Sequence, residues 1–472
     1  MCAPSLSSVA HMADHTYTLD SSRPFEQQDV LGHNRWHPEI PAIINVTPGE
    51  TVRAESREWF DGSVKNDDSA DDILNVPFEK PHQLSGPFRV EGAKPGDLLV
   101  VDIIDAGPLS ESDNPGELAG EGWGYTGIFA AKHGGGFLAE YMPDAYKAIW
   151  DFKDGRATSR HIPGVSFASM VHPGVMGTAP SAEVLARWNK REAQLIATDP
   201  NRYPPLAVPP QPASALLGGV SSSDIERISR EAAVSVPPRE HGGNMDIKNL
   251  TAGSRIFFPV FVDGANFSFG DLHFSQGDGE ITLCGAIEMG GYLEFAVDII
   301  PDGMNTYKTG GAPVFVPGGQ GASYSDWLTF TGISVTHEGE QCHLDATLAY
   351  QNAVMHAIDY LTTFGYTKEQ AFLLLGAAPI EAHYSAVVDY PNACATLYLP
   401  TEIFDFDITP STSGPHRIES AQAPFASASS LDDASIVRAV PTGDSERLAL
   451  VKQLAGSDAE LRPTTFGDWH KH

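Results

Sequence analysis

Two stretches, HGGNMDIKNL at residues 241–250 and FSFGDLHFSQGDGEITLCGAIEMGG at 267–291, decide the reading of this chain. Between them lies an apolar, β-branched run from Arg255 to Val262. The pattern is strand, glycine-rich turn, strand. Asn244, Asp246, Lys248, Asp271, His273, Asp278, Glu280 and Glu288 crowd into this short piece. Glycine-permitted turns at strand ends let a rigid scaffold present such side chains as a site. Hard oxygen ligands plus an imidazole suit a divalent cation. Two ordinary hairpins with acidic turns are the plainer alternative, and the density of polar groups favours a site.

The composition agrees with many turns and short strands. Glycine numbers 45 and proline 35, while charged residues make up only 19% of 472. This argues against a helix bundle and for a mainly β fold with α+β elements. The formal net charge is -31, and no basic cluster interleaves with aromatics. Nucleic acid and anionic membrane are therefore not expected partners. Cys2, Cys284, Cys342 and Cys394 stand far apart, which fits neither a disulfide framework nor a thiolate zinc site. No apolar run is long enough to span a bilayer, and a cytoplasmic location is expected.

Taken in order, residues 1–22 read as a tail. Residues 23–235 form an N-terminal β-rich part, 236–408 carry the site and helices, and 409–472 are a C-terminal extension. Alternating strands are expected at 42–46 and 51–54, at 86–90 and 97–103 on either side of a tight turn, and at 293–300, 313–316, 327–335 and 393–399. The period changes to a helical one at 345–361 and again at 368–376, with Thr367 as a cap. Pro38 and Pro41 argue for an extended segment around His33 and His37, so Arg35 and Trp36 read as anchors. The acidic run 66–72 reads as a solvated loop or helix cap, with a cation site or a site mouth as the alternatives. His172 reads as the end of a short apolar strand meeting a turn. It is a candidate acid–base group or ligand, against a plain turn histidine.

These segments resemble the acetamidase/formamidase family, and within it the longer formamidases. The resemblance runs over roughly residues 25–408. It is carried by Gly32-His33-Asn34-Arg35-Trp36, by 65–72, by His161-Ile162-Pro163-Gly164, by His172-Pro173-Gly174 with 177–181, and above all by the stretch from Gly242 to Gly291. The resemblance implies a β-sandwich or jelly-roll-like fold with two C-terminal helices. It also implies hydrolysis of short aliphatic amides, a divalent metal (commonly zinc, with calcium the alternative) and a homo-oligomer.

On that basis Asn244, Asp246 and His273, with Asp278, are the expected metal ligands. A cation there polarises a carbonyl and lowers the pKa of water. Glu280 is the expected general base, His172 or Glu280 protonates the leaving nitrogen, and Lys248 stabilises a carboxylate or the oxyanion. A covalent amidase is the first alternative, through Ser221-Ser222-Ser223 or Cys284. No Gly-x-Ser-x-Gly elbow is present, and Cys284 sits in an apolar run. The second alternative is a non-catalytic β-rich binding protein with a structural cation.

Overall fold

A computed structural model describes residues 13–109, 122–130, 137–198, 210–319, 321, 323–418 and 445–456. The strand Phe267–Gln276 is the axis of the larger, eleven-stranded sheet. Every residue along it is buried, so it carries apolar rings where a half-exposed strand would alternate. It pairs antiparallel with His172–Gly177 on one side and with Leu283–Met289 on the other. Leu84–Val90 also pairs with its N-terminal end.

A second sheet of six strands lies in the order His15–Tyr17, Thr51–Ser56, Gly291–Ile300, Leu98–Pro108, Arg255–Pro259, Val314–Val316. Phe88, Phe267, Phe269 and Phe295 interlock within the main core, with ring centroids 5.3–6.2 Å apart. The mainly β expectation is met. Both sheets are open, and a jelly-roll connectivity is not what these strand orders establish.

The two expected helices are Ala346–Thr362 and Lys368–Ala377. Asp345 caps the first by accepting from the Leu348 N–H at 2.9 Å. The second starts in a capping box between Thr367 and Gln370. Against the first helix packs a three-stranded sheet of Trp327–Ile333, Cys394–Pro400 and Glu381–Ala386. Within the expected extension, a helix at Ser445–Ala455 packs on Ala182–Thr198. Much of the remainder of 409–472, most of the tail, and residues 199–209 of the proline-rich stretch lie outside the described residues.

His172 begins a strand, where the sequence suggested an end. Pro173 and Gly174 read as turn formers, yet here they run within a strand held between two neighbours. The acidic run is neither bare nor simply solvated. Asp67 and Asp72 hold the buried Lys147 ammonium at 3.0 and 2.7 Å, and Asp68 meets Arg160 and His161.

Candidate active site

Strand register sets the site. His172 lies opposite His273, His273 opposite Glu288, and Glu288 opposite Tyr125. Four neighbouring strands thus line up two imidazoles, a carboxyl and a phenol in one row. Tyr125 donates on to Glu58 at 2.6 Å. Directly opposed residues of antiparallel strands are close enough for their side chains to interact.

The remaining groups sit on backbone conformations that side-chain-bearing residues seldom adopt. Asp246, Asp271 and Glu280 have φ of +50°, +57° and +47°. Each such residue costs about 1–3 kcal/mol and persists where the surroundings over-determine it, often at functional sites. Asp246 is held from behind. Its N–H and that of Met245 both donate to the Gly174 carbonyl, and the Gln276 amide donates to the Asp246 carbonyl at 2.7 Å.

Asp246, Asp271 and His273 converge, with one ligand atom from each lying within 4.8 Å of the others. His273 Nε2 is 3.5 Å from Asp271 Oδ2 and 3.2 Å from Glu288 Oε2. His82 Nε2 lies 3.6 Å from the same Asp271 oxygen. Gly174 makes the convergence possible. A Cβ there would stand 2.7 Å from Asp246 Oδ1, 2.7 Å from His273 Cε1 and 2.8 Å from Asp271 Oδ2.

This set fits a cation on two counts. Asp246 Oδ1, Asp271 Oδ1, His273 Nε2 and Glu288 Oε2 are buried and make no hydrogen bond among the described residues. Buried polar atoms are nearly always satisfied, so four orphans together call for a further group. His273 also donates through Nδ1 to Gln276 Oε1 at 2.9 Å, which turns its Nε2 toward the carboxylates. An imidazole whose other nitrogen is held by an acceptor is the usual arrangement for a metal ligand.

The electrostatics tell the same story. Burial, with the Asp271 charge beside it, pushes the Asp246 carboxyl up to about 7 despite His273. Burial also pushes Glu288 up to about 8 and, with Asp246 adjacent, holds Glu280 well above the carboxylate range. Burial opposes a charge on His273, but Glu288 and Asp271 outweigh it and raise that imidazole well above its ordinary value. Four carboxyl groups face too little positive charge, so protons or a cation must balance them.

The expected residues divide between two places. Asp246 and His273 meet, and Glu280 joins them through a hydrogen bond to Asp246. Asn244 ends the strand Gly242–Asn244 two residues before Asp246, with its Oδ1 buried and without a hydrogen bond among the described residues. Asp278 instead pairs with Lys248 and accepts from the Ala382 N–H, while Glu381 lies 3.3 Å from the same ammonium. Lys248 and Asp278 are therefore a linked ion pair outside the triad. Both nitrogens of His172 face oxygen acceptors, Met170 O and Gln276 Oε1, and a neutral ring can donate to only one. Burial and His273 lower its pKa to about 4.

Asp271, Glu288, Gln276, His82 and Glu58 were not assigned roles from sequence. The Asp-x-His spacing of Asp271 and His273 was the available signal, since alternate residues of a strand share a face. Nothing in sequence ties Glu58 or His82 to the stretch. Cys284 is wholly buried, and burial with Glu288 and Glu280 nearby pushes its thiol well above the ordinary range, the opposite of an activated nucleophile. Ser221 and Ser223 contact Asp224 at the surface.

Comparison with known proteins follows the same lines. Residues 18–406 match the model of the Acetamidase/Formamidase family. An acetamidase of Mycolicibacterium smegmatis is 56% identical over 377 residues, covering 79% of this chain and 92% of that protein. A formamidase of Methylophilus methylotrophus is 52% identical over 393 residues, covering 83% and 94%. The solved gamma lactamase from Delftia acidovorans superposes with a TM-score of 0.83 at 49% identity, over 87% of this chain and 98% of that one. The chain belongs to the acetamidase/formamidase family and is an amidase.

Proposed function

We propose that this chain hydrolyses a short aliphatic amide, formamide or acetamide, to the carboxylate and ammonia. In this reading Asp246, Asp271 and His273 hold a divalent cation, zinc first and calcium second. The observation that carries it is the cluster of buried, unbonded oxygen and nitrogen atoms around the missing side chain of Gly174. The acetamidase and formamidase relatives supply the substrate class.

Bound there, the cation would polarise the amide carbonyl and lower the pKa of water. The chain's own groups do the rest. Gln276 fixes the His273 tautomer and ties it to the Asp246 turn. Glu280 shares a proton with Asp246 and is the group placed to move one during hydrolysis. His172, held neutral, steadies Gln276. Lys248 anchors Asp278 and Glu381 at the edge of the site.

Ammonia release from formamide and acetamide, measured with metal content before and after chelation, tests this. Loss on chelation and recovery with zinc is the expected result. Turnover that survives full metal removal would sink the metal role. Unfolding on chelation with no amide turnover would instead favour a purely structural cation. A cytoplasmic homo-oligomer belongs to the same proposal. Cys284, Cys342 and Cys394 are free thiols, which suits a reducing compartment. Tyr384, Val388 and Tyr390 are 65%, 66% and 74% exposed near one sheet edge, an apolar surface that light scattering of the purified protein would test as a subunit contact.

A further inference from the structure

The imidazole of His82 borders the candidate centre without belonging to the proposed ligand set. Its segment arrives from the end of a strand. Leu84, which opens Leu84–Val90, lies opposite Gly270 on Phe267–Gln276. Gly270 permits the approach, because a Cβ there would stand 2.4 Å from the Gln83 carbonyl oxygen. Asp271 is the next residue, and His82 Nε2 comes to lie 3.6 Å from Asp271 Oδ2. That separation is an electrostatic contact, longer than a hydrogen bond.

The ring is held from two other sides. The His82 backbone N–H donates to Ser235 Oγ at 2.6 Å, and His82 Nδ1 lies 3.1 Å from the same oxygen. Trp59 stacks on the imidazole, with centroids 5.3 Å apart and planes 23° from parallel. Ser235 comes from a segment 153 residues further along the chain and is wholly buried, and His82 is buried too.

These contacts settle where the ring proton sits. A hydroxyl carries one proton and two lone pairs. One lone pair of Ser235 takes the backbone N–H, and among the described residues its proton has no acceptor but His82 Nδ1. A proton on Nδ1 instead would leave the buried hydroxyl proton without a partner, which costs free energy. Ser235 therefore donates to Nδ1, and Nε2 bears the ring proton, facing Asp271. His273 is the converse. Its Nδ1 donates to Gln276, which leaves Nε2 for a cation. Of the two imidazoles beside Asp271, one offers a lone pair and the other a proton.

Resting on the cation reading above, we propose that His82 is a positioning residue for Asp271, with Ser235 setting its tautomer. The Nε2–H orients the Asp271 carboxylate, and His82 is itself no ligand because that nitrogen is occupied by a proton. Carboxylates that bind metals are characteristically held by such donors.

The test measures the zinc affinity of the full-length protein by competition with a chromophoric chelator, alongside urea midpoints. In His82→Asn the amide can replace Nδ1 at Ser235 but is too short to reach Asp271. In His82→Gln the amide nitrogen takes the place of Nε2. Zinc affinity should fall by about 10-fold or more in His82→Asn, the loss typical of outer-shell changes, and stay near that of the unsubstituted protein in His82→Gln. A histidine needed only for packing and for Ser235 would give the reverse order, with His82→Asn the milder change. That reverse order, or equal affinities in the two variants, overturns the role while leaving the cation reading intact. Should His82→Asn fail to fold, Ser235→Ala replaces it. Its affinity should weaken as well, and an unchanged value overturns the role. Absence of zinc binding by the unsubstituted protein overturns the cation reading and this role together.

Discussion

Asp271 and His273 stand one residue apart on a single strand, with Oδ2 and Nε2 separated by 3.5 Å. Alternate residues share a face of a strand, and the left-handed φ of Asp271 adjusts its aim. Asp246 arrives from a separate turn to complete the triangle. Replacing Asp271 with Asn keeps the size and removes the charge. Metal content should fall, and amide turnover should drop by about 100-fold or more, beyond the loss typical of outer-shell changes. Unchanged metal content in Asp271→Asn would remove it from the ligand set.

Gln276 touches His273, His172 and the Asp246 carbonyl at once. In Gln276→Ala the His273 ring loses the partner that sets its tautomer. Metal affinity, measured by competition with a chromophoric chelator, should weaken by about 10- to 100-fold with the fold retained.

Gly174 is needed for want of a side chain, since its φ is not in the left-handed region. The Cβ of Gly174→Ala would press on atoms of Asp246, Asp271 and His273 within 2.8 Å. Stability should fall by about 1–3 kcal/mol, the usual cost of overpacking. Metal binding should fall much further than stability does. Calorimetry and metal analysis on the same sample separate the two.

His33 is fully buried between the Arg35 carbonyl and Ser268, and burial lowers its pKa from 6.5 to about 4. The folded state therefore disfavours the proton that the unfolded chain accepts. The stability this contributes is fully present above pH 6.5 and is lost as the pH falls toward 4. The slope approaches about 1.4 kcal/mol per pH unit within that window, or about 2 kcal/mol by pH 5. Urea midpoints of His33→Gln should change less between pH 7 and pH 5 than those of the unsubstituted protein. Equal changes would assign the acid sensitivity to other groups.

Part of this was legible in residues alone. The helices at Ala346–Thr362 and Lys368–Ala377 fell within a residue or two of their expected bounds, because an apolar stripe and a Thr cap are local signals. The strands Thr51–Ser56 and Gly291–Ile300 followed from period-two alternation. His172 was misplaced at a strand end because Pro173 and Gly174 resemble turn residues wherever flanking strands are unseen. Asp278 and Lys248 looked like parts of one site, yet their charges satisfy each other.

By itself, the sequence determined the β-rich class, the helix positions, the family, and the segment bearing the polar groups. Those properties depend on periodicity and on the order of residues along the chain. Only the tertiary structure decided which carboxylates face one point. That choice rests on the register of His172, His273 and Glu288 across three strands, on left-handed backbone conformations at Asp246 and Asp271, and on the space left by Gly174. His82 joins only because folding brings a segment some two hundred residues distant against the strand Phe267–Gln276, and Glu58 joins through Tyr125, 67 residues further along the chain; no local pattern encodes either proximity.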